Sequence, residues 1–354
     1  MGNWADLPPE LLNLIVSKVF AKDRFSLVCR SWNAAASNHY SAACLMYYYQ
    51  RTHKWKFHRH NDSSFFTSFP LLKDAEIRCS RNGWLLMARN DNTLFFFNPS
   101  DNRALDLPCE IGHGYTKVFF FHPPTSPDCA VVGIKTSIFK QAVDICMLKR
   151  GDYKWESFEF PTRTKFLVSH GPPVLHLGLI YFLDVKGNVA RFDIINRRLV
   201  ISDKCLRQQQ FNYYDIKEHY LFKVKGEKAL FGVFAFHDER NVKVFRLSGG
   251  PKKMKWGLVE DIGDKVLYLS HASSFGCTAH TKIMANRIYF PKLHGDSAVF
   301  YSLSDGKYHS LEGDYSDCSA YGLKRMDFAA WVTPAPIPTS EQTKELRWNL
   351  HGNY

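Results

Sequence analysis

A cysteine and a histidine in the last third of the chain have the spacing of a metal-ligand pair. Cys277 precedes His280 by three positions, and His294 and Cys318 lie in the same third of the sequence. A structural zinc ion needs about four ligands in a tetrahedral arrangement. Two loosely placed pairs do not specify such a site, so we assign these residues structural roles and predict neither a metal nor another cofactor.

Sequence patterns of the common catalytic sites are missing from the chain. It has no G-x-S-x-G elbow, Walker loop, H-E-x-x-H helix or Rossmann glycine fingerprint. His113 and His170 fall in predicted loops with no evident partner. Several aspartates fall where turns and strand ends favour this residue: Asp184, Asp193, Asp305 and Asp314. A glycosidase would require two carboxylates facing one pocket, an arrangement that only the fold can create. We therefore predict no catalytic residues and no enzymatic activity.

Composition and charge indicate a globular, strand-rich protein. The chain has 354 residues, of which 45% are hydrophobic and 15% aromatic, and a formal net charge of +12. Aromatic residues fit the pleated surface of β-sheets. Much of the positive charge lies in residues 204–255, which contain 12 Lys or Arg and five Asp or Glu. Because these charges alternate with apolar segments, the pattern favours a solvated basic face over a nucleic-acid site.

The cysteines and the N-terminus predict a cytosolic or nuclear protein. The nine cysteines are scattered singly, without a C-x-x-C pair, and we expect reduced thiols that pack as small hydrophobic residues. No apolar run approaches the roughly 20 residues that span a bilayer. The N-terminus has no secretory signal pattern. We expect no membrane partner.

The first 36 residues carry apolar side chains at helical spacing. Leucine, isoleucine and valine recur through residues 7–19, behind the helix-starting pair Pro8-Pro9. A second short helix is predicted from Arg24 to about Ala36, with Trp32 among its apolar positions. Two short helices cannot bury this many apolar side chains against each other. The helices therefore either form an interface with a partner or dock on the domain that follows.

The residues of this segment favour the interface, because their order resembles an F-box. The carriers are Leu7-Pro8, Glu10-Leu11-Leu12, Ile15 and Val28-Cys29-Arg30-Ser31-Trp32. In one departure, the stretch from Asp23 to Val28 is about two residues shorter than is usual. F-boxes attach a receptor to a Skp-family adaptor and, through it, to a cullin. The resemblance implies that seven residues form or support the adaptor surface: Leu7, Pro8, Leu11, Leu12, Ile15, Val28 and Trp32. Trp32 is a candidate hot spot, although Trp32 and Ile15 could instead belong to the module's own core.

Residues 75–311 contain a weak internal repeat of strand-like segments. One set begins at Leu94, Ala142, Val189, Val242 and Ala298, with intervals of 48, 47, 53 and 56 residues. Two further sets flank it in constant order, turn residues separate them, and another apolar strand precedes most triplets. Four strands in about 50 residues is the period of a kelch-like propeller blade. The repeat predicts five blades. A sixth would combine Trp55–Phe57 and Phe65–Thr67 with strands near Ala320 and residues 327–331. A β-sandwich or two stacked β domains fit the near-constant period less well.

This region also resembles the β-propeller of plant F-box proteins of the KIB type. The segments that carry the resemblance are Gly83-Trp-Leu-Leu, Phe97-Asn-Pro, Ile180-Tyr-Phe-Leu-Asp184, Val244-Phe-Arg-Leu247, Ile288-Tyr-Phe290 and Trp331-Val-Thr-Pro334. The resemblance implies a protein-recognition propeller without catalytic residues. The predicted fold is thus a small all-α F-box followed by an all-β propeller of five or six four-stranded blades.

Four segments are predicted along the chain. Residues 1–40 form the F-box, 41–74 a connector that could contribute strands to the closing blade, and 75–333 the propeller. The Pro-rich residues 334–354 are predicted as a mostly disordered tail.

Three functions follow from these predictions. The first is the substrate-recognition subunit of an SCF-type ubiquitin ligase, which binds the Skp-family adaptor with the F-box and an unknown target protein with the propeller. The second is a scaffold or regulator outside any ligase, whose shortened F-box has lost affinity for the adaptor. The third is a small-molecule or carbohydrate-active enzyme on a propeller scaffold.

Overall fold

The computed structural model describes most of the propeller and parts of both termini. The described residues are 4, 7–18, 25, 28–37, 43–59, 63–115, 117–203, 205, 215–237, 241–250, 253–279, 281–310, 313–315, 324–325, 328–333 and 348. Two helices lie near the N-terminus, α1 (Pro9–Lys18) and α2 (Arg30–Ser37). Of the second helix predicted from Arg24 to about Ala36, the structure describes Phe25, which is helical, and the segment from Arg30 onward.

Behind the helices, the strands form six sheets that are the blades of a β-propeller. The first three strands belong to blade 1: β1 (Cys44–Tyr49), β2 (Lys54–Arg59) and β3 (Ser64–Thr67). Blade 2 comprises β4 (Ala75–Arg81), β5 (Trp84–Arg89), β6 (Leu94–Asn98) and β7 (Arg103–Asp106). Blade 3 comprises β8 (Lys117–Phe120), β9 (Ala130–Thr136), β10 (Ala142–Lys149) and β11 (Glu156–Pro161).

The remaining strands complete the ring. Blade 4 comprises β12 (Val174–His176), β13 (Leu179–Leu183), β14 (Val189–Asp193) and β15 (Arg198–Ser202). Blade 5 comprises β16 (Ile216–Lys223), β17 (Leu230–Phe236), β18 (Val242–Ser248) and β19 (Lys255–Val259). Blade 6 comprises β20 (Lys265–Leu269), β21 (Ser274–Thr278), β22 (Arg287–His294), β23 (Ser297–Ser302), β24 (Lys307–Ser310), β25 (Gly313–Tyr315) and β26 (Lys324–Arg325). The last strand, β27 (Ala330–Val332), returns to blade 1.

The middle strands of the blades are apolar because both of their faces are covered. Every residue of β6 is buried, whereas the outer strand β11 alternates between exposed and half-buried positions. Apolar clusters lie between neighbouring blades; for example, the rings of Phe96 in blade 2 and Phe120 in blade 3 are 5.0 Å apart. Continuous apolar runs therefore mark the strands at the centre of a blade.

Strand β27 closes the ring by pairing with β1. Leu45 is opposite Trp331 in this antiparallel ladder. Trp331 also bonds to the neighbouring blades, because its backbone NH donates to Ser273 Oγ (2.9 Å) and its carbonyl accepts from Ser80 Oγ (3.0 Å). The pairing of the two chain ends covers edges that would otherwise be open to other strands.

The predicted propeller is confirmed, with six blades, and its closure uses the predicted segments around Trp55, Phe65 and Trp331. Residues near Ala320 lie outside the described part of the chain. The first blade begins at Cys44, so β1–β3 lie in the segment predicted as a connector. Blade 6 has more than the four strands of the other blades. Its innermost strand is β21, which pairs with β20, and β20 runs parallel to β22.

One residue of the predicted disordered tail has a defined position. Trp348 is 3% exposed and stacks on Phe96, with 5.9 Å between the ring centroids. Its indole Nε1 donates to the carbonyl of Asp152 (3.2 Å), in the turn between β10 and β11. Trp348 therefore joins the core between blades 2 and 3.

Candidate functional site

The N-terminal helices have a small core of their own. Leu12 and Val16 on α1 pack with Phe25 and with Ala35 on α2, and all four are buried. Leu7, Ile15 and Trp32 pack half-buried around them. This cluster contains no residue of the propeller. Among the described residues, the core of the helices is thus built without the propeller, which favours the interface with a partner over docking on the domain that follows.

Helical geometry places the other leucines of α1 away from this core. Successive residues of an α-helix are about 100° apart, so Leu11 and Leu14 lie about 60° from each other on the side opposite Val16. Leu11 is 46% and Leu14 58% exposed. Val28, at the start of the second helical segment, is 54% exposed. The module therefore leaves three apolar side chains in contact with solvent, which we call the open face (Leu11, Leu14 and Val28).

The seven residues predicted for the adaptor surface separate into three groups. Pro8, Leu11 and Val28 are exposed, while Leu7, Ile15 and Trp32 are half-buried. Leu12 is 1% exposed and cannot touch a partner in this arrangement, so it supports the surface and is not part of it.

Trp32 mainly serves the packing of the module. Its ring lies 4.3 Å from that of Phe25, and its Nε1 donates to the backbone carbonyl of Trp4 (2.9 Å). Trp4 is 69% exposed. Sequence reasoning missed Trp4 and Leu14 as exposed apolar residues. Leu14 could have been found from its angular position, had the core side of α1 been known.

A cavity of about 870 Å³ opens on one face of the propeller. It is bordered by the β1–β2 turn, the start of β4 and the β22–β23 turn. We call this side of the propeller the upper face. On this side the innermost strand of a blade begins, and the second strand of a blade turns into the third. Aromatic side chains form the middle of the cavity wall: Tyr47, Tyr48, Tyr49, Trp55 and Phe328. Volume and lining are those of a ligand pocket.

Charged groups stand at both ends of this cavity. Lys56 Nζ of blade 1 lies 2.7 Å from Asp296 Oδ1 of blade 6, and the lysine side chain is only 5% exposed. Lys56 lowers the pKa of Asp296. Burial, followed by the charge of Asp296, raises the pKa of Tyr47. At the blade 2 end, Glu76 Oε2 lies 3.1 Å from the Arg78 guanidinium.

The cavity carboxylates do not have the features of a hydrolase acid–base pair. Such a pair needs one carboxyl held protonated by a raised pKa, whereas the pKa of Asp296 is lowered by Lys56. Asp296 and Glu76 are also each paired with a cation. Asp296 is therefore unsuited to be the protonated member of such a pair.

The aspartates that the sequence analysis noted stabilise turns by accepting hydrogen bonds from backbone NH groups. Asp184 accepts hydrogen bonds from the backbone NH groups of Lys186 (2.8 Å) and Asn188 (2.7 Å), and burial raises its pKa to about 6. Asp193 accepts from Ile195 and Asn196 in the same way. Asp305 accepts from the NH of Lys307 (3.1 Å). The side chain of Asp314 lies outside the described part of the structure.

Two of the four candidate metal ligands are described by the structure. Cys277 is half-buried in β21 and His294 ends β22, while His280 and Cys318 lie outside the described residues. Among the described side chains, no group of three or more His, Cys, Asp or Glu could hold a metal ion. His170, for which the sequence suggested no partner, stacks on His271 with 5.1 Å between centroids.

The cysteines behave as small apolar residues. Eight of them are described and none forms a disulfide. Burial raises the pKa of Cys129 and Cys146 to about 12 and that of Cys205 to about 11, so these thiols stay protonated. In the part of the chain that the structure describes, no helix has both the length and the apolarity that a bilayer span requires.

A helical module with an open apolar face, followed by a six-bladed ring, defines the class of F-box proteins with a β-propeller. The F-box sequence profile matches residues 4–42, and the profile described as KIB1-4 beta-propeller matches residues 56–316. The chain belongs to the KIB1-4 beta-propeller family.

Relatives in Arabidopsis thaliana share both regions. The chain is 28% identical to F-box/kelch-repeat protein At1g57790, over 94% of each chain. It is 26% identical to F-box protein At4g00893, over 87% of this chain and 81% of the relative. Among solved structures, the β-propeller domain of Myceliophteria thermophila Cps50 (Swd1) matches with a TM-score of 0.41 and 11% identity, over 77% of this chain and 86% of that one. A likeness of that size does not bear on function.

Proposed function

We propose that this protein is the non-catalytic substrate-recognition subunit of an SCF-type ubiquitin ligase, acting in the cytosol or the nucleus. The F-box binds a Skp-family adaptor, the adaptor connects it to a cullin, and the propeller holds a target protein. The family match of both regions supports this assignment. Its chemistry is proximity: holding a target lysine beside the charged conjugating enzyme raises the local concentration of the reacting groups.

The observation that carries the proposal is the open face. Leu11, Leu14 and Val28 remain exposed although the module has a core of its own. Burying a leucine side chain from water contributes about 1.5–3 kcal/mol. Two neighbouring exposed leucines on one helix can therefore contribute substantially to binding a groove on a second subunit.

Co-purification with a recombinant Skp-family adaptor tests the proposal. We expect Leu11→Asp combined with Leu14→Asp to abolish adaptor binding, because two carboxylates would be buried without partners. The matched control places two aspartates at exposed apolar positions of the propeller, Phe139→Asp with Ile195→Asp, which are 91% and 82% exposed in the wild type. The control should bind the adaptor as the wild type does.

A second readout follows ubiquitin transfer. In a reconstituted mixture of adaptor, cullin complex and conjugating enzyme, the wild type and the control should acquire ubiquitin on their own lysines, and the Leu11/Leu14 variant should not. Undiminished adaptor binding or ubiquitin transfer by that variant would reject the proposal.

A further inference from the structure

The cavity on the upper face is built from three blades. Leu293 and Asp296 come from blade 6, Tyr47 and Trp55 from blade 1, and Asp74 from the start of blade 2. Its volume of about 870 Å³ is sufficient for several side chains of an extended peptide. The cavity is therefore a binding surface on the rigid ring, separate from the N-terminal helices.

Two residues of its aromatic wall are exposed to a ligand. Phe328 is 68% and Tyr48 43% exposed, and the Tyr48 ring lies edge-on to Trp55 with 5.5 Å between centroids. The Tyr48 hydroxyl is also held, 3.2 Å from His53 Nδ1. Aromatic rings fixed in place but left exposed are suited to contact apolar side chains and cations.

Carboxylates outnumber cations among the residues that line the cavity. The chain has a net charge of +12, whereas the charged residues that line the cavity are three carboxylates and one guanidinium: Asp74, Glu76, Asp296 and Arg51. Lys56 and Arg78 lie outside this lining and each pairs with one carboxylate, so the attraction for a basic ligand centres on Asp74.

The three carboxylates of the cavity differ in their interaction partners. Asp296 neutralises the buried Lys56 and fixes the β22–β23 turn against blade 1. Glu76 is paired only with Arg78 at the surface, an interaction weak enough to exchange for another cation. The Asp74 carboxylate has no hydrogen-bonding or ionic partner among the described residues, and its left-handed backbone (φ 55°) sets it at the head of β4. Asp74 is therefore the group free to receive a cation, and Glu76 can join it by exchanging its partner Arg78.

We propose that this cavity binds an extended segment of the target protein in which a Lys or Arg lies between apolar side chains. Asp74 and Glu76 receive the cation, and the aromatic wall receives the flanking side chains. This inference rests on the proposed function, because it assigns the specificity of the same receptor.

Fluorescence anisotropy with defined peptide pools tests the inference. The probes are fluorescein-labelled heptapeptides with Lys, Arg, norleucine or Glu fixed between two leucines and mixed residues elsewhere. With the full chain, we expect the Lys and Arg pools to bind at least tenfold more tightly than the Glu pool. Asp74→Asn with Glu76→Gln should reduce this preference at least fivefold.

A charge-matched variant controls for long-range electrostatics. Asp128→Asn with Glu260→Gln removes two exposed carboxylates outside the cavity lining and should retain the preference. Three results would overturn the inference: no pool bound above background, equal binding of the Lys and Glu pools, or an unchanged preference in the cavity variant. Adaptor co-purification of the cavity variant should stay at the wild-type level, which separates failure of this inference from failure of the ligase assignment.

Discussion

The N-terminal helices and the propeller differ in how they cover their apolar side chains. The helices bury a core of four residues and leave Leu11, Leu14 and Val28 exposed. The propeller places apolar clusters between neighbouring blades around the ring, and β27 closes it. A closed ring is complete by itself, whereas a two-helix module with this few buried residues gains from a partner. This difference is the basis of the proposed division of roles, with anchoring by the helices and recognition on the surface of the ring.

The largest expected effect tests whether the ring depends on its closure. Trp331 is 1% exposed and its Nε1 donates to the carbonyl of Leu269 (3.1 Å) in blade 6. Trp331→Ala should lower the free energy of unfolding of the propeller by about 3–5 kcal/mol, because it leaves a cavity between blades 6 and 1. Urea denaturation followed by circular dichroism measures this. A loss below about 1 kcal/mol would show that closure at β27 is unimportant.

A comparable loss of stability, confined to the N-terminal helices, tests whether they fold independently of the propeller. Leu12→Ala removes a buried side chain from the four-residue core and should cost the module about 2–5 kcal/mol. Hydrogen exchange should then show loss of protection in α1, with unchanged protection in β5 and β6. Leu14→Ala is the matched control, since its exposed side chain can be removed without loss of α1 protection. If Leu12→Ala also exposed β5 or β6, the two regions would share one core.

A pH-dependent effect is expected inside the propeller alone. Burial lowers the pKa of His219 to about 4, below the value of about 6.5 for an unfolded chain. Stability is therefore fully present above pH 6.5 and is lost as the pH falls towards 4, because the unfolded state binds the proton first. The loss amounts to about 3 kcal/mol at pH 4. In His219→Phe, urea midpoints at pH 7, 6 and 5 should fall less than in the wild type; parallel curves would contradict this.

The smallest effect concerns the C-terminal anchor. Trp348→Ala removes the ring stacked on Phe96 and should destabilise the propeller by about 2 kcal/mol. Trp348→Phe keeps most of the apolar contact but loses the hydrogen bond to Asp152, so it should cost less. Equal melting temperatures of wild type and Trp348→Ala would show that the anchor does not contribute to stability.

Local patterns in the sequence predicted the type and order of the two domains. Runs such as Leu94–Phe97 indicate buried strands wherever they occur, and their period gives the blades. The sequence could not predict which leucines of α1 are buried, because Leu11, Leu12 and Leu14 are equally apolar. Only packing against Phe25 and Ala35 distinguishes Leu12 from its neighbours.

Features that join distant parts of the chain could not be predicted from the sequence either. The cavity combines residues 47–77 with residues 293–296 and 328–329, and no local pattern connects them. The apolar run Val266–Leu269 predicts a strand, but it does not predict that β21 takes the innermost position of the blade beside it. Trp348 follows a Pro-rich spacer whose composition indicates disorder, and a single buried side chain does not change that composition.

Titration of the full chain with a purified Skp-family adaptor tests the role of the open face most directly. The wild type should bind with a dissociation constant of about 1 μM or lower. Leu11→Asp with Leu14→Asp should weaken binding more than about 100-fold, while the propeller keeps its melting temperature. Equal affinities of the two proteins, or no binding by the wild type, would contradict the account, and the latter result would favour a scaffold outside the ligase.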